Sequence, residues 1–439
     1  MSPGDLPAVD AASVPGRPAG PVPSDSSLWS RAFSALRIAG YRTLWVGQLF
    51  NTAAMQMDLV LRPWLAYHIS GSGLTLGLVV FARGLPQMVL PLLAGAVVDR
   101  VEKRRLLLVT QSVMDGLAAL TALLVHLQLV RVWHLIAIGV AQGAVLAINL
   151  PLRMAYISAV VGPERLGNAV ALNFTALNLN SVIAPLVGGA LIAWRPSVGF
   201  YTIAGLYGAA VLMLLRLPPT GSGGVRPPVW QEALAGLRYL AGHPLLRRLF
   251  GMSLIPIALG LPFQQFLPVF QADVLRVDAS RLGLMFTAVG AGALTGSIVA
   301  GQVSESPRKE TFQLASGIGF GASLAGFALS TAYATSLMLL FIIGLCSQIY
   351  LTINSVLIMM ATDPALHGRV MSLHLIIWSL MLLAAVPTGS LVDRFGAPAT
   401  IAALGTAMIV IFLSIGARRH VRRGRGRATR RAERRRDDR

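Results

Sequence analysis

Long apolar runs separated by short polar segments dominate the chain. A helix needs roughly 20 apolar residues to cross the hydrocarbon core of a bilayer. Twelve runs approach that length, near residues 44–67, 74–98, 106–129, 133–157, 168–193, 199–215, 246–270, 282–303, 311–331, 335–360, 369–391 and 398–416. They lack the period-2 alternation of barrel strands. Because unpaired backbone amides are not tolerated in hydrocarbon, the pattern predicts an all-α membrane protein with twelve transmembrane helices.

The two halves of the chain repeat each other. The segment PERLGNAVAL, which begins at Pro163, recurs as PALHGRVMSL from Pro364. Two shorter pairs follow at similar offsets, Ile148-Asn149 with Ile353-Asn354 and Gly189-x-Leu191 with Gly389-x-Leu391. The repeat predicts two pseudo-symmetric six-helix bundles, residues 31–216 and 246–416, joined by a cytoplasmic linker over 217–245. Duplicated bundles of this kind are typical of secondary transporters.

Basic residues favour one set of loops. If the amino terminus is cytoplasmic, the inner loops hold thirteen Lys and Arg residues against five outside. The positive-inside rule therefore places both termini in the cytoplasm. Residues 1–30 are rich in Pro, Gly, Ser and Asp, and no basic start precedes an apolar stretch. We expect them to form a disordered tail and not a signal peptide.

Composition agrees with lipid as the solvent, since 55% of the 439 residues are hydrophobic and only 13% are charged. The single cysteine, Cys346, excludes an intrachain disulfide and a cysteine-rich metal site. Residues 418–439 hold twelve arginines against three acidic residues. This basic tail, residues 417–439, is expected to bind anionic lipid at the cytoplasmic face. Nucleic acid is the competing partner, but no groove-reading fold accompanies the tail, so none is expected.

A charged loop follows the second apolar run. The segment GAVVDRVEKRR, from Gly95 to Arg105, resembles the cytoplasmic signature G-x-x-x-D-R-x-G-R-R of the major facilitator superfamily, with Glu102 at the second glycine. Its charges either set topology alone or form breakable bonds with the opposing half that latch one access state. The second half keeps only an eroded copy of the signature. The candidate gating residues in these two loops are Gly95, Asp99, Arg100, Lys103, Arg104 and Glu305.

The fifth run contains a second motif. The segment from Ala184 to Gly189 is similar to the proline-glycine motif of the same superfamily, often seen in exporters, and adds Pro185, Gly188 and Gly189 to the gating candidates. Longer segments, such as FSALRIAGYRTLWVGQLFNTAAMQM and YLAGHPLLRRLF, resemble the bacterial enterobactin-exporter and macrolide-efflux branch. That resemblance implies proton-linked efflux across the cytoplasmic membrane of a bacterium.

Charged residues inside the runs are the best candidates for proton coupling. Asn51, Met55, Asp58 and Arg62 lie on one stripe of the first helix, and charges at this depth must be paired or face water. Burial favours a neutral carboxyl, whereas Arg62 or Arg83 favours the charged form, so movement can switch protonation of Asp58. A permanent Asp58-Arg62 ion pair is the structural alternative. Asp115 in the third helix is a second candidate for coupling.

Polar side chains on the predicted cavity faces are candidates for substrate contact. They are Asn51, Met55, Gln142, Asn149, Asn173, Asn180, Gln264, Gln265, Gln348, Tyr350 and Asn354. The second half offers amides and aromatic rings but no acid well inside a run, so the cavity is expected to be uneven and to suit a large amphipathic solute. The same amides could instead bond neighbouring helices together.

The sequence lacks several motifs that would indicate other functions. There is no G-x-x-x-x-G-K-[ST] phosphate loop, no G-x-S-x-G nucleophile and no metal-ligand spacing among the histidines. We therefore expect no cofactor, no metal and no enzymatic activity. The leading hypothesis is a monomeric, proton-coupled exporter of a siderophore, macrolide or other drug-like molecule that works by alternating access. An uptake carrier for a small metabolite is the alternative, and a transport-inactive sensor or an intramembrane enzyme is the alternative of another class.

Overall fold

The computed structural model describes residues 34–90, 101–218, 229–363 and 366–437, with only the backbone at 163, 229–235, 368–369, 371–372, 374–379 and 418–437. A short 3-10 helix (Ser34–Arg37) precedes thirteen longer helices in these ranges. They are α1 (Ala39–Ser70), α2 (Gly73–Val89), α3 (Lys103–His126), α4 (Val132–Val161), α5 (Pro163–Trp194), α6 (Pro196–Leu215), α7 (Val229–Gly242), α8 (Pro244–Val274), α9 (Ala279–Ser304), α10 (Lys309–Leu329), α11 (Tyr333–Met360), α12 (His367–Phe395) and α13 (Ala397–Asp437).

Twelve of these helices, all except α7, overlap the twelve apolar runs. Among the described residues, nine helices are long and apolar enough to cross a membrane, and α2 is a shorter apolar helix in its described part. The prediction of an all-α membrane protein built from two six-helix halves is confirmed. Helix α7 lies in the predicted linker, and residues 1–30 lie outside the described ranges, so the predicted domain boundaries stay predictions.

Residues with special backbone properties mark several helix ends. Gly71 ends α1 with a φ of 61°, a left-handed conformation that glycine adopts at little cost. Ser72 then caps α2 by accepting a hydrogen bond from the backbone N–H of Thr75. Asp278 caps α9 in the same manner. These short signals explain why the membrane helices follow one another through tight turns.

Each half packs around its own helices, and two seams join the halves. In the first half α1 packs against α5 and α6, α2 against α4, and α3 against α6. In the second half α9 packs against α11, and α10 against α11 and α13. The seams are formed by α2 with α12 and by α5 with α9. We call the end of the molecule where α1 ends and α2 begins the distal end.

Helix α8 is irregular because, beyond its first residue, it contains three internal prolines at intervals of six, Pro256, Pro262 and Pro268. Its regular first part ends at Ile255, and π and 3-10 turns follow. A proline has no N–H, so Pro256 cannot donate to the carbonyl of Met252 four residues earlier. The hydroxyl of Tyr350 on α11 donates to that carbonyl at 2.8 Å. A side chain of a neighbouring helix thus replaces the missing backbone donor.

Candidate functional site

A buried cluster of three charged side chains joins α1 to α2. Both oxygens of Asp58 accept hydrogen bonds, from Arg62 Nη2 at 2.9 Å and from Arg83 Nη1 at 2.8 Å. The exposed fractions are 2% for Asp58, 4% for Arg62 and 15% for Arg83. The Asp58-Arg62 contact follows from the i, i+4 spacing on one helix. The structure therefore brings together three of the four residues predicted to take part in proton coupling.

Close packing of α2 on α4 positions Arg83. A Cβ atom added at Gly143 would lie 2.1 Å from the Arg83 carbonyl oxygen, and one at Gly139 would lie 3.8 Å from Arg83 Cβ. At position 143 only glycine allows the two backbones to approach this closely, whereas position 139 has room for a Cβ atom. The adjacent residue, Gly84, contacts Leu382 of α12 in the second half. Arg83 thus lies between α1, α4 and the α2–α12 seam.

Two hydrogen-bond donors near this cluster have no partner among the described residues. Arg62 Nη1 and the Tyr207 hydroxyl are fully buried and make no hydrogen bond there. Tyr207 is on α6 and lies within electrostatic range of Asp58 and of both guanidinium groups. A buried donor without an acceptor costs free energy, about 1–3 kcal/mol. The charge cluster therefore has more hydrogen-bond donors than acceptors.

The fourth coupling candidate, Asp115, lies apart from the cluster. It is half-buried on α3 and close to Gly208 of α6, where an added Cβ would be 3.5 Å from its Oδ2. The ion pairs found between described residues do not include Asp115. Among the same residues no group of three or more His, Cys, Asp or Glu side chains could hold a metal ion. A coupling role for Asp115 would have to be independent of the Asp58 cluster.

Several predicted substrate contacts are buried and bonded to neighbouring helices. Asn149 on α4 donates to Thr110 of α3 at 2.9 Å. Its repeat partner Asn354 on α11 donates to Ser253 of α8 at 2.5 Å, and it accepts from Gln313 of α10 at 2.6 Å. Both halves thus place the repeated asparagine in a buried polar network. In this conformation these asparagines bind helices together, the alternative that the sequence left open.

The other candidates for substrate contact fall into two groups. Asn180, Gln142, Gln265 and Tyr350 are buried, and Asn180 donates to Thr52 of α1 at 2.6 Å. Five candidates are only half-buried and are the more accessible set, namely Asn51, Met55, Asn173, Gln264 and Gln348. Contact of any of these side chains with a solute stays a prediction.

The predicted latch at the end opposite the distal end falls largely on residues outside the described ranges, namely Gly95, Asp99 and Arg100. Lys103 begins α3, and Arg104 donates to the Leu215 carbonyl at 2.7 Å, which is a contact inside the first half. Glu305 directly follows α9 and is exposed. The latch therefore stays a prediction.

The proline-glycine segment of α5 lies on a seam. A Cβ atom at Gly189 would be 2.6 Å from the backbone of Gly283 on α9, and one at Gly283 would be 2.5 Å from the Pro185 carbonyl oxygen. Gly188 instead faces Leu61 of α1 inside the first half. Pro185 and Gly189 thus permit close approach of the two halves, and Gly188 permits packing within one.

Sequence reasoning missed a set of contacts at the distal end. Asp393 of α12 accepts hydrogen bonds from the Ser72 hydroxyl at 2.7 Å, the Gly73 N–H at 2.6 Å and the Leu74 N–H at 3.0 Å. These donors belong to the first turn of α2, so an acid of one half caps a helix of the other. We call this contact the distal seal. The segment GSLVDRFG, residues 389–396, matches G-x-x-x-D-R-x-G and could have revealed it.

A second contact supports closure at the same end. The Tyr67 hydroxyl at the end of α1 donates to Asp273 at the end of α8. Within the described ranges the other seam has no counterpart of the seal, because Ala193 stands where Asp393 maps at an offset of 200. Helix α9 is instead capped from within by Asp278, which accepts from the backbone of Ser280 and Arg281. The two seams of this duplicated molecule are therefore closed differently.

Comparison with known proteins shows which family this chain resembles. Residues 30–432 match the family model described as transmembrane secretion effector. The chain is 26% identical over 338 residues to the enterobactin exporter EntS of Shigella flexneri, covering 75% of this chain and 79% of that protein. It is 26% identical over 373 residues to the multidrug efflux pump Tap of Mycolicibacterium fortuitum, covering 81% and 90%.

Solved structures support the same fold. The nucleoside transporter NupG superimposes with a TM-score of 0.67 at 13% identity, over 86% of this chain and 98% of that one. A bacterial homologue of the lysosomal transporter Spinster, in an inward-facing and unoccupied conformation, gives 0.67 at 16% identity, over 89% and 96%. The chain therefore belongs to the transmembrane secretion effector family of the major facilitator superfamily, and it is a multi-pass bacterial membrane transporter and not an enzyme.

Proposed function

We propose that this transporter is a proton-coupled exporter of an amphipathic small molecule that works by alternating access. The observation that carries the proposal is Asp58, a buried carboxylate held by one guanidinium from its own helix and one from α2. A carboxylate in such a site exchanges a proton only when its cationic partners move away. Protonation is thereby linked to the relative position of two helices.

The coupling cycle follows from the charges of this cluster. A proton bound to Asp58 removes the negative charge that holds Arg62 and Arg83. The arginine on α2 is then released from α1, and α2 contributes to a seam between the halves. Release of the proton restores both ion pairs. The carboxylate thus alternates between a bonded, charged state and a neutral state, as an antiport cycle requires.

Export is supported by the relatives and by the distal seal. The relatives named above are an exporter and an efflux pump. If both termini are cytoplasmic, as the basic loops predict, the distal end faces away from the cytoplasm. The seal then closes the side opposite the cytoplasm, which is the state that loads solute from the cytoplasm.

The test compares Asp58→Asn with Asp115→Asn in proteoliposomes. A substrate is first identified by screening siderophores and macrolides for efflux in a host that lacks its own pumps. Asp58→Asn should abolish flux driven by a pH gradient while solute counterflow continues, because the asparagine keeps the shape of the site but carries no exchangeable charge. Asp115→Asn changes the other candidate carboxylate, which lies outside the cluster, and should keep pH-driven flux if Asp58 alone carries the proton. Unaltered pH-driven flux in Asp58→Asn would remove Asp58 from the coupling role.

The basic tail and the oligomeric state complete the proposal. The backbone of α13 remains helical through Asp437, well beyond its apolar segment Ala397–Ala417. We propose that this basic helix lies on anionic lipid at the cytoplasmic face and that the transporter is a monomer. Deletion of residues 418–439 should lower binding to phosphatidylglycerol in mixed nanodiscs without changing the solute that is transported.

A further inference from the structure

The buried membrane interior of the first half carries excess positive charge. Its charged side chains, among the described residues, are three arginines, Arg62, Arg83 and Arg153, against two acids, Asp58 and Asp115, and Asp115 is only half-buried and lies apart. The second half contributes no buried charged side chain among its described residues. An uncompensated charge in such surroundings is costly unless a counter-ion neutralises it.

The excess lies at two places, Arg153 and the Asp58 cluster, which differ in how their donors are satisfied. Arg153 makes hydrogen bonds with two amide oxygens of its own region, Asn149 Oδ1 at 3.4 Å and Gln111 Oε1 at 3.3 Å. Around Asp58, by contrast, one carboxylate serves two guanidinium groups. Its two oxygens already accept bonds from both arginines. The cluster therefore has a net charge of about +1 and no acceptor left for its remaining donors.

Each of the unused groups of the cluster can donate a hydrogen bond. Within the described part of the chain, Arg62 Nη1 is unpaired in a side chain that is only 4% exposed. The Tyr207 hydroxyl is likewise unpaired there and buried beside the same charges. The hydrogen bond described for the Arg83 guanidinium uses Nη1, and this arginine is the most exposed member of the cluster. A ligand that fits these groups must bring oxygen acceptors and a negative charge.

We propose that the transported molecule carries an acidic group, a carboxylate or a comparable oxyanion, and that Arg83, Arg62 and Tyr207 bind it. This inference rests on the transport function proposed above and names its substrate class. A cationic amphiphile would face two guanidinium groups with one carboxylate already committed to them. The substrate anion takes the place of Asp58 as the acceptor for the arginine donors.

The test uses three fluorescent amphiphiles that differ only in the head group, namely 11-(dansylamino)undecanoic acid, its primary amide and the primary amine of equal chain length. Binding to the full-length protein in nanodiscs is measured by dansyl fluorescence, with empty nanodiscs as background. We expect the acid to bind about 10- to 100-fold more tightly than the amide or the amine, as a charge-assisted hydrogen bond allows. Equal affinities, absent binding of the acid or a preference for the amine would overturn the proposal.

Variants locate the site. Arg83→Gln should lose that 10- to 100-fold advantage for the acid, roughly the contribution of one charge-assisted bond, and gel filtration shows that the variant is folded. Arg83→Lys should recover part of the loss, and Tyr207→Phe should weaken acid binding about 3- to 10-fold. Arg153→Gln, a buried arginine outside the cluster, is the control and should keep the preference. An acid preference that survives Arg83→Gln would place the anion elsewhere and refute the assignment.

The substrate-class test and the coupling test fail independently. The acid preference is an equilibrium measurement without a proton gradient, whereas the role of Asp58 is judged from gradient-driven flux against counterflow. A retained acid preference with unaltered flux in Asp58→Asn would reject proton coupling alone. A missing acid preference with abolished flux would reject the anionic substrate alone.

Discussion

Replacing Asp393 by alanine should shift the molecule away from the conformation that is closed at the distal end. The substitution removes three cross-half hydrogen bonds, from the Ser72 hydroxyl and from the N–H groups of Gly73 and Leu74. Bonds to a charged acceptor contribute about 1.5–3 kcal/mol when desolvated. Asp393 is exposed, so we take about 0.5–1 kcal/mol for each. The sum, about 1.5–3 kcal/mol, corresponds to a change of about 10- to 150-fold in the closed-to-open equilibrium.

The assay measures the distance between the halves at the distal end. With Cys346 replaced by serine, spin labels are placed at Leu129 and Leu329, two exposed residues near the distal ends of α3 and α10. Pulsed electron spin resonance then gives the distribution of label distances. We expect Asp393→Ala to populate a longer distance that is minor in the parent protein.

The matched control is Asp278→Ala. Asp278 also caps a helix at the distal end, but it accepts from the backbone of its own α9. Asp278→Ala should therefore leave the distribution of label distances unchanged. If Asp393→Ala is folded by gel filtration and gives the parent distribution, or if both variants open the molecule equally, the seal does not set this equilibrium.

Three further expectations concern stability. Gly143→Ala should lower the free energy of unfolding by about 1–3 kcal/mol in thermal denaturation, because the new Cβ meets the Arg83 carbonyl. Gly116→Ala is the control and should not lower it, because there is open space around that position. Asn354→Leu should destabilise by about 1–3 kcal/mol, since it leaves the buried Gln313 Nε2 without its acceptor and removes the donor to the Ser253 hydroxyl. Hydrogen bonds from Ser280 and Arg281 lower the pKa of Asp278, so its stabilisation of α9 should persist at neutral pH and fade only as pH falls through that lowered pKa, as amide hydrogen exchange would show.

The helices and the charge cluster could be predicted in part because local rules determine them. Apolar runs of membrane length indicate helices without knowledge of their neighbours. The spacing of four residues places Asp58 and Arg62 on one face, and the structure joins them. That Arg83 completes the cluster depends on the approach of α2 to α4 at Gly143, a contact between segments far apart in the chain. The sequence named Arg83 as a candidate but could not show that it reaches Asp58.

Other features depend on tertiary contacts that no local pattern shows. The acid at position 393 lies in a segment that matches the signature G-x-x-x-D-R-x-G, but that match does not show that its donors are on α2. Asn149 and Asn354 occupy repeat positions, yet the repeat does not reveal whether an amide faces a solute or another helix. The structure shows hydrogen bonds to neighbouring helices for both. The packing of the helices determines which group a polar side chain binds and whether it faces a solute or another helix.

The pairing of Pro256 with Tyr350 makes the effect of one substitution depend on the other. The Tyr350 hydroxyl donates to the Met252 carbonyl, to which Pro256 has no N–H to donate. Tyr350→Phe alone removes this donor, whereas in a Pro256→Ala background a backbone N–H is available and the same change should cost less. The two changes should therefore not be additive, and in evolutionary terms a descendant sequence loses the hydroxyl at lower cost after the proline than before it.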